Sequence, residues 1–364
     1  MSSHHVVIMA GGTGGHVFPA LAVADELRRQ GHTVSWLGTR HGLEAELVPA
    51  AGYPIDFIGI AGLRGKGLLG WLMAPLRITR ALWQSLTVMR QRRPVVVLGM
   101  GGFVAGPGGL AAWLRRIPLV IHEQNAVAGL TNRLLARLAS RVLSAFPQAF
   151  AGKAELVGNP LREAICQLPV PAERLAQREG PLRVLVLGGS LGAAVFNRVV
   201  PEALAVLPEA LRPQLRQQTG KRNLDEAQQA RDQALVEMEL LPFIDDMAAA
   251  YGWADLVLCR AGALTVSELS AAGVASVLVP FPFAVDDHQT ANAAALAAQG
   301  AAKLLPQTQF NRDSLASMLA EFAVDAQNGR KHLLAMAEAA RALGRPRATA
   351  IVAGICLDVA EDKR

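Results

Sequence analysis

Two glycine-rich turns and one polar stretch of this sequence could carry chemistry. Residues 11–15, Gly-Gly-Thr-Gly-Gly, come directly before His16, and residues 188–192, Gly-Gly-Ser-Leu-Gly, repeat the arrangement in the second half of the chain. The third stretch runs from Arg260 to Glu268. A glycine turn that opens a helix presents free backbone N–H groups and the positive end of the helix dipole to a phosphate. The three stretches therefore predict a site for an anionic ligand.

His16 and Glu268 each admit two interpretations. A histidine beside such a turn can act as a general base near neutral pH, or it can simply shape the start of a helix. Glu268 follows Thr265 by three residues, which is the spacing of a reciprocal capping box at a helix start. Its carboxylate could instead accept hydrogen bonds from a ribose diol. The residues alone leave both pairs of alternatives open.

Short apolar runs alternate with helical segments in both halves of the chain, which predicts an α/β fold. The predicted strands are residues 5–9, 33–37, 95–98, 119–122, 183–187, 256–259 and 277–279. The predicted helices include residues 19–30, residues 75–92 with a core-facing stripe at Ile78, Leu82, Leu86 and Met89, and residues 265–272, which Gly273 ends. The alternation breaks near residues 155–162, and a segment rich in Pro, Gln, Glu and Arg follows to Pro181, so we expect a domain boundary there.

Spacing and composition exclude several common classes of protein. The first turn lacks the dinucleotide fingerprint, because Val17 stands where a glycine is needed and no Asp or Glu ends the second predicted strand. It is not a Walker loop, because no Lys-Ser/Thr pair follows it. The three cysteines are scattered, which indicates reduced thiols in a cytosolic setting. The first residues lack a signal-peptide pattern, and no apolar run reaches the ~18–20 residues of a spanning helix.

Positive charge is concentrated in one region. The chain has 36 basic and 30 acidic residues, a net charge of +6, yet no acidic residue lies between Asp56 and Glu123. The basic residues of that region are Arg64, Lys66, Arg77, Arg80, Arg90, Arg92, Arg93, Arg115 and Arg116, and the large apolar residues among them include Trp71, Leu72, Met73 and Trp83. We expect a peripheral contact with an anionic membrane, and no nucleic-acid binding, because no basic stripe is interleaved with stacking aromatic residues.

Seven motifs, in order along nearly the whole chain, resemble those of one enzyme family. They are Gly-Gly-Thr-Gly-Gly-His-Val-Phe-Pro (11–19), His-Glu-Gln-Asn (122–125), Gly-Asn-Pro-Leu-Arg (158–162), Gly-Gly-Ser-Leu-Gly-Ala (188–193), Phe-Ile-Asp-Asp-Met (243–247), Gly-Ala-Leu-Thr-Val-Ser-Glu (262–268) and Asp-Asp-His-Gln-Thr (286–290). Together they resemble the bacterial UDP-N-acetylglucosamine–N-acetylmuramyl-(pentapeptide) pyrophosphoryl-undecaprenol N-acetylglucosamine transferases, the MurG family. Two positions depart from the family pattern: Ala261 stands where serine is expected, and Phe283 where relatives often carry histidine.

The resemblance implies a GT-B glycosyltransferase, in which two Rossmann-like domains face each other across a cleft. Residues 1–162 would form an acceptor and membrane-facing domain, with a C-terminal helix of about residues 346–364 packed back on it. Residues 163–345 would bind UDP-GlcNAc. The enzyme would be a hexosyltransferase that transfers GlcNAc with inversion to the 4-hydroxyl of undecaprenyl-pyrophosphoryl-MurNAc-pentapeptide (lipid I), forming the β-1,4 disaccharide lipid II of peptidoglycan. It would act peripherally at the cytoplasmic face of the inner membrane, with cell-wall and division proteins as candidate partners.

The resemblance also implies roles for individual residues. His16 would be the catalytic base, Ser190 and Arg162 would meet the diphosphate, Ile244 would contact uracil through its backbone, and Glu268 would bind the ribose hydroxyls. Asn125, Gln289, Thr13, Gly14 and Gly15 would bind the GlcNAc moiety, and the donor-binding set is completed by Ala263, Leu264, Thr265, Val266 and Ser267. No cofactor and no metal are expected, because the chain has no Asp-x-Asp motif.

Three alternative functions share parts of this pattern. Sugar transfer to diacylglycerol would use the same fold and the same donor, so acceptor specificity would discriminate it. A UDP-sugar epimerase would use a similar scaffold without an acceptor. A dinucleotide oxidoreductase is disfavoured by the missing glycine fingerprint.

Overall fold

The structure, a computed structural model, describes residues 3–60, 73–189 and 193–362. The chain divides into two compact units. The first unit comprises Met1–Arg162 together with Pro346–Arg364, and the second comprises Glu163–Arg345. Ser190, Trp71, Leu72, Arg64 and Lys66, all named above, lie outside the described residues.

The first unit is built on a seven-stranded sheet in the order β3-β2-β1-β4-β5-β6-β7, and all of its neighbouring strands are parallel. The strands are β1 (His5–Ala10), β2 (Thr33–Gly38), β3 (Ile55–Phe57), β4 (Val96–Gly101), β5 (Leu119–Glu123), β6 (Arg141–Ser144) and β7 (Glu155–Leu156). The helices are α1 (Gly14–Arg29), α2 (Glu44–Ala50), α3 (Ala74–Arg92), α4 (Ala105–Leu114) and α5 (Leu130–Leu135), with α15 (Ala348–Glu361) from the end of the chain.

The second unit has a six-stranded parallel sheet in the order β10-β9-β8-β11-β12-β13. Its strands are β8 (Arg183–Leu187), β9 (Gln214–Gln218), β10 (Glu239–Leu241), β11 (Leu256–Cys259), β12 (Ala275–Leu278) and β13 (Ala302–Leu304). Its helices are α6 (Glu163–Cys166), α7 (Pro171–Leu175), α8 (Ala194–Val206), α9 (Leu224–Ala234), α10 (Met247–Trp253), α11 (Ala263–Ala272), α12 (His288–Ala297), α13 (Arg312–Gln327) and α14 (Lys331–Leu343).

The strand composition explains the two sheets. The central strands β1, β4, β8 and β11 are short apolar runs that helices cover on both faces, as parallel sheets require. The order of strands reverses between β1 and β4 in the first unit and between β8 and β11 in the second. The carboxyl edge of a parallel sheet at such a reversal is where ligands bind in open α/β folds. Each unit therefore has its own predicted ligand-binding edge.

The last helix, α15, completes the core of the first unit. Its Val352 and Cys356 are fully buried in the cluster that also contains residues of β1 and α1. The Thr349 hydroxyl accepts a hydrogen bond from the backbone N–H of Leu161 and donates one to the Leu161 carbonyl, each 3.0 Å long. These contacts fix the helix beside the segment at which the chain leaves the first unit.

The structure corrects two sequence predictions about helices. Helix α1 begins at Gly14, five residues before the predicted start, because the glycine turn itself forms the first helical turn. On α3, Ile78 was predicted to face the core but is 43% exposed. In that half of the helix only Ala74 and Ala81 are buried, and the periodic pattern could not show how far the core extends along the helix.

Candidate active site

The glycine turn of the first unit lies against a second glycine loop. Thr13 is the N-cap residue of α1, and His16 is in the first helical turn. Gly102, in the loop after β4, has a positive φ of 83°, and a Cβ there would lie 2.3 Å from the Gly11 carbonyl oxygen. A Cβ on Gly101 would lie 2.8 Å from atoms of the His16 ring. Glycine is therefore required here because backbone and imidazole approach too closely for any side chain.

A buried carboxylate holds the turn from the other side. Glu44, in the first turn of α2, is fully buried and accepts hydrogen bonds from the Gly12 N–H (2.9 Å), the Thr39 N–H (2.9 Å) and the Thr39 hydroxyl (2.7 Å). The sequence showed no acid at the end of the second strand, and the structure supplies one from the helix that follows. Sequence reasoning missed Glu44, because it lies several residues beyond β2 and no known motif marks it.

Three polar side chains form a chain of hydrogen bonds beside the turn. His16 Nδ1 lies 2.9 Å from Oε1 of Gln124, and Gln124 Nε2 lies 3.2 Å from Nδ1 of His122. The other ring nitrogen of His122 lies 2.8 Å from the carbonyl oxygen of Gly158. Burial lowers the pKa of His122 to about 4, so this imidazole is neutral at physiological pH. The predicted strand-end residue Gln124 thus contacts the predicted base directly.

Asn125 is held by a neighbouring buried acid. The Glu123 carboxylate accepts hydrogen bonds from the Asn125 backbone N–H (3.0 Å) and side-chain amide (3.2 Å). It also accepts from the Gly129 N–H at 3.1 Å and the Asn132 amide at 2.8 Å. Glu123 therefore shapes the loop after β5 and keeps Asn125 at the carboxyl edge of the sheet.

Arg162, predicted to meet a diphosphate, belongs to the first unit. Its side chain is exposed, and the guanidinium carbon lies 6.0 Å from the ring centroid of Phe18 on α1. It therefore lies near the glycine turn of its own unit.

In the second unit, Gln218 connects the glycine turn to Ile244. Its Nε2 donates to the Gly189 carbonyl at 3.0 Å, and its Oε1 accepts from the Ile244 N–H at 3.1 Å. The Ile244 N–H already has this partner. The carbonyl of Ile244 is therefore the backbone group that remains to bind a nucleobase. Gln218 carries no motif of its own, since it ends an otherwise ordinary strand, and sequence reasoning missed it.

The capping-box interpretation of Glu268 is wrong. Helix α11 begins at Ala263 with Gly262 as its N-cap, so Thr265 lies inside the helix and cannot cap it. Glu268 stands one turn further along, is only 6% exposed, and its Oε2 accepts a hydrogen bond of 2.9 Å from the hydroxyl of the fully buried Tyr251. Sequence reasoning missed Tyr251, because its contact with Glu268 comes from the packing of α10 beside α11.

The predicted stretch 263–268 therefore forms the first turns of α11 at the end of β11. Ala263, Leu264 and Thr265 supply the backbone N–H groups of its first turn. The Val266 side chain is buried, and its backbone N–H donates to the Gly262 carbonyl at 2.9 Å. Ser267 is partly exposed.

Gln289 is oriented by the loop after β12. Its Oε1 accepts a hydrogen bond of 2.9 Å from the Phe281 N–H. Arg260 holds the same loop, donating to the carbonyls of Val279 and Pro280 at 3.2 and 3.3 Å. Because the Gln289 oxygen is occupied, its amide N–H groups are the part that can serve a ligand.

The predicted site residues fall into two groups, one in each unit. The first unit brings together Thr13, Gly14, Gly15, His16, Asn125 and Arg162. The second unit brings together Ile244, Ala263, Leu264, Thr265, Val266, Ser267, Glu268 and Gln289. Both groups lie in loops and helix starts that follow strands of the parallel sheets, where open α/β folds bind ligands.

Comparison with known proteins identifies the family. The Glycosyltransferase family 28 N-terminal domain matches residues 6–144, and the Glycosyltransferase family 28 C-terminal domain matches residues 183–349. The chain belongs to glycosyltransferase family 28. As a family 28 member with two parallel-sheet units, it has the predicted GT-B fold class.

Relatives within family 28 are similar over the full length. A protein of Alkalilimnicola ehrlichii, named UDP-N-acetylglucosamine–N-acetylmuramyl-(pentapeptide) pyrophosphoryl-undecaprenol N-acetylglucosamine transferase, is 59% identical over 98% of this chain and 99% of its own length. The protein of the same name from Nitrosococcus oceani is 58% identical over 98% of each chain. The crystal structure of Acinetobacter baumannii MurG has a TM-score of 0.83 and 43% identity, covering 98% of this chain and 99% of its own. The predicted family resemblance and the predicted glycosyltransferase class are confirmed.

Proposed function

We propose that this protein transfers GlcNAc from UDP-GlcNAc to the 4-hydroxyl of undecaprenyl-pyrophosphoryl-MurNAc-pentapeptide, lipid I, and so forms the β-1,4 disaccharide lipid II of peptidoglycan. The observation that carries this function is the 59% identity, across both units, to a relative whose name states this donor and this acceptor. Transfer to diacylglycerol and UDP-sugar epimerisation are less well supported, because the relatives from Alkalilimnicola ehrlichii, Nitrosococcus oceani and Marinobacter nauticus, which are 59%, 58% and 55% identical, carry the cell-wall transferase name.

The second unit has the groups that a UDP-sugar needs. The Glu268 carboxylate, oriented by Tyr251, would accept hydrogen bonds from the ribose diol. The Ile244 carbonyl would accept from uracil, and the amide of Gln289 would donate to a sugar hydroxyl. The start of α11, with its backbone N–H groups and no acidic residue in its first turn, would favour the diphosphate. Ser190 is proposed as a further diphosphate contact from its place in the second glycine turn.

The first unit would supply the proton transfer and further contacts to GlcNAc. His16 would take the proton from the attacking 4-hydroxyl as the new bond forms on the face of the anomeric carbon opposite UDP, which inverts the configuration. Thr13, Gly14, Gly15 and Asn125 would contact GlcNAc beside it. Negative charge develops on the departing UDP. The start of α11 and the Arg162 guanidinium would stabilise that charge.

We further propose that the first unit binds the cytoplasmic face of the inner membrane peripherally, through α3. Met73, Leu76, Ile78 and Trp83 are 40%, 63%, 43% and 69% exposed, and the neighbouring Arg77, Arg80 and Arg90 are exposed as well. Trp113, on the helix α4 that packs against α3, is 49% exposed. Apolar side chains among cations fit an anionic bilayer surface. Among the described residues, no helix has the length and apolarity needed to cross a bilayer.

Arg92 is not part of this membrane-binding surface. Its guanidinium donates to both carboxylate oxygens of Asp56, at 2.8 and 3.1 Å. The sequence placed Arg92 among the membrane-facing cations, but this ion pair neutralises its charge within the first unit. The exposed Arg77, Arg80 and Arg90 of α3 would give a salt-sensitive attachment.

The proposed function is tested by incubating the protein with radiolabelled UDP-GlcNAc and a short-chain lipid I analogue. Labelled disaccharide is the expected product. Parallel reactions contain diacylglycerol as the acceptor or no acceptor at all. Label in the diacylglycerol fraction, or conversion of the UDP-sugar without any acceptor, would replace the proposal with one of the two alternatives.

A further inference from the structure

We propose that Gln124, held in place by His122, is a positioning residue that fixes the tautomer of His16, with the proton on Nδ1 and the lone pair on Nε2. This inference rests on the proposed function, in which His16 accepts the proton of the attacking hydroxyl. It adds which ring nitrogen does so and what keeps that nitrogen ready. The argument follows the hydrogen bonds outward from His122.

His122 has only one possible arrangement of protons. Its Nε2 lies 2.8 Å from the carbonyl oxygen of Gly158, which can only accept, so Nε2 carries a hydrogen. The ring is fully buried, and burial lowers its pKa to about 4, so the imidazole is neutral. A neutral imidazole with a proton on Nε2 has a lone pair on Nδ1. Nδ1 of His122 is therefore an acceptor.

This acceptor fixes the orientation of the Gln124 amide. Gln124 Nε2 lies 3.2 Å from Nδ1 of His122 and 3.3 Å from the carbonyl oxygen of His122. Both of these atoms accept hydrogen bonds, so the NH₂ group must face them. The opposite orientation would place Oε1 against two lone pairs in a site where Gln124 is only 1% exposed. The Gln124 oxygen consequently faces His16.

The oxygen of Gln124 in turn fixes the tautomer of His16. An amide oxygen can only accept, and it lies 2.9 Å from Nδ1 of His16, so Nδ1 carries the hydrogen. In the neutral ring the lone pair is then on Nε2. The ring packs closely against the Gly101 backbone, because a Cβ added at that position would lie 2.8 Å from Nδ1. The lone pair is thus kept on the nitrogen that does not contact Gln124.

The proton balance of the proposed step is simple. The O–H bond of the acceptor breaks and an N–H bond forms at Nε2 of His16. The acceptor oxygen forms the new bond to the anomeric carbon, while the bond from that carbon to the UDP oxygen breaks and its electron pair leaves with UDP. The resulting imidazolium has hydrogens on both nitrogens, and its Nδ1–H still donates to Gln124. Because Gln124 and His122 pass no proton onward, they position His16 and do not replace it as the base.

A double-mutant cycle tests the positioning role. Gln124→Met keeps the side-chain length but removes the amide, and we expect kcat to fall by about 10- to 100-fold, as when orienting partners of metal-bound histidines are removed. The KM for UDP-GlcNAc should stay within about twofold of the parent value, because ground-state binding is untouched. In the His16→Ala background the same change should cause no further loss. An equal loss in both backgrounds, or no loss in the parent, would overturn the proposal.

Nitrogen NMR of histidine-labelled protein tests the tautomer without any transfer assay. At about pH 8, where imidazoles are neutral, the His16 signals, assigned by their disappearance in His16→Ala, should show a protonated Nδ1 and an unprotonated Nε2. Gln124→Met should shift His16 toward a mixture of tautomers. The matched control Gln84→Met, which removes an amide that accepts from the Gly59 N–H at 2.8 Å, should leave the His16 signals unchanged.

The two measurements separate the inference from the function on which it rests. A parent protein with the expected tautomer but no GlcNAc transfer would refute the proposed function and leave the positioning intact. A parent protein that transfers GlcNAc while Nε2 of His16 carries the proton would refute the positioning. The tautomer is read from the parent protein, and the His16→Ala variant serves only to assign the His16 signals.

Discussion

The hydroxyl of Tyr251 donates a hydrogen bond of 2.9 Å to Oε2 of Glu268, and both residues are buried. This contact orients one oxygen of the Glu268 carboxylate. A carboxylate that is held before its ligand arrives loses less side-chain entropy on binding. We therefore expect Tyr251 to contribute to UDP-GlcNAc affinity although it is fully buried.

The contribution of Tyr251 can be measured with the change Tyr251→Phe, which removes only the hydroxyl. We expect the affinity for UDP to fall by about 10-fold in calorimetry, which corresponds to roughly 1.4 kcal/mol. Glu268→Ala should weaken UDP binding more strongly while the protein remains folded. The control is Tyr53→Phe, the same change at a buried tyrosine that donates to Asp25 in the first unit. Normal UDP affinity in both Tyr251→Phe and Glu268→Ala would refute the proposed ribose contact.

A second prediction concerns the buried acid that holds the first glycine turn. Glu44→Gln leaves a single amide oxygen where two carboxylate oxygens accepted three hydrogen bonds. We expect the free energy of unfolding to fall by about 1–3 kcal/mol, because a buried donor loses its partner. The kcat should fall as well, because the turn that carries His16 is released. Glu46→Gln, at an exposed position of the same helix, is the control and should change neither quantity. Parent-like denaturation and kinetics for Glu44→Gln would contradict this role.

A third prediction follows from the neutral state of His122. Its pKa of about 4 lies below the ordinary value of 6.5, because burial disfavours the charged ring. Between these pH values the unfolded chain binds a proton at this position and the folded protein does not. The contribution of His122 to the free energy of unfolding is therefore fully present above about pH 6.5. It is lost as the pH drops toward 4, and the loss amounts to about 3 kcal/mol. Urea denaturation from pH 7 to pH 4.5 should show this loss in the parent and a shallower one in His122→Asn. Identical pH slopes for the two proteins would show that His122 is not the group responsible.

The fourth prediction tests membrane binding. Replacing Arg77, Arg80, Arg90 and Trp83 by alanine together should abolish sedimentation with anionic vesicles, because each cation contributes about 1 kcal/mol near such a surface. High salt should release the parent protein. A water-soluble acceptor should still be glycosylated. Removing Lys221, Arg222 and Arg312, exposed cations of the second unit, is the control and should leave vesicle binding intact. If the quadruple variant sediments as the parent does, the membrane contact lies elsewhere.

The sequence was sufficient for the parts of the fold that depend on local patterns. The strands Arg183–Leu187 and Leu256–Cys259 were predicted with their observed bounds, because short apolar runs are typical of buried parallel strands. Gly273 ends α11 with a positive φ of 63°, as its residue type indicated. The full-length order of the motifs was enough to identify the family.

The sequence could not predict contacts that depend on packing between distant segments. Glu44, Gln218 and Tyr251 each hold a predicted site residue or turn, yet none of them lies in a recognised motif. The capping-box interpretation of Glu268 was wrong because the helix begins at Ala263, two residues before the predicted start, so that Thr265 lies inside the helix. The prediction of a core-facing stripe on α3 was wrong at Ile78. Periodicity gives the direction of a side chain but not how far the core extends along the helix.

The position of α15 has a consequence for the order in which the protein folds during synthesis. Val352 and Cys356 belong to the core of the first unit, but the ribosome makes them only after all of Glu163–Arg345. Domains generally fold as units, starting from the N-terminus, as the nascent chain emerges. The core of the first unit is therefore completed only after the whole second unit has been synthesised.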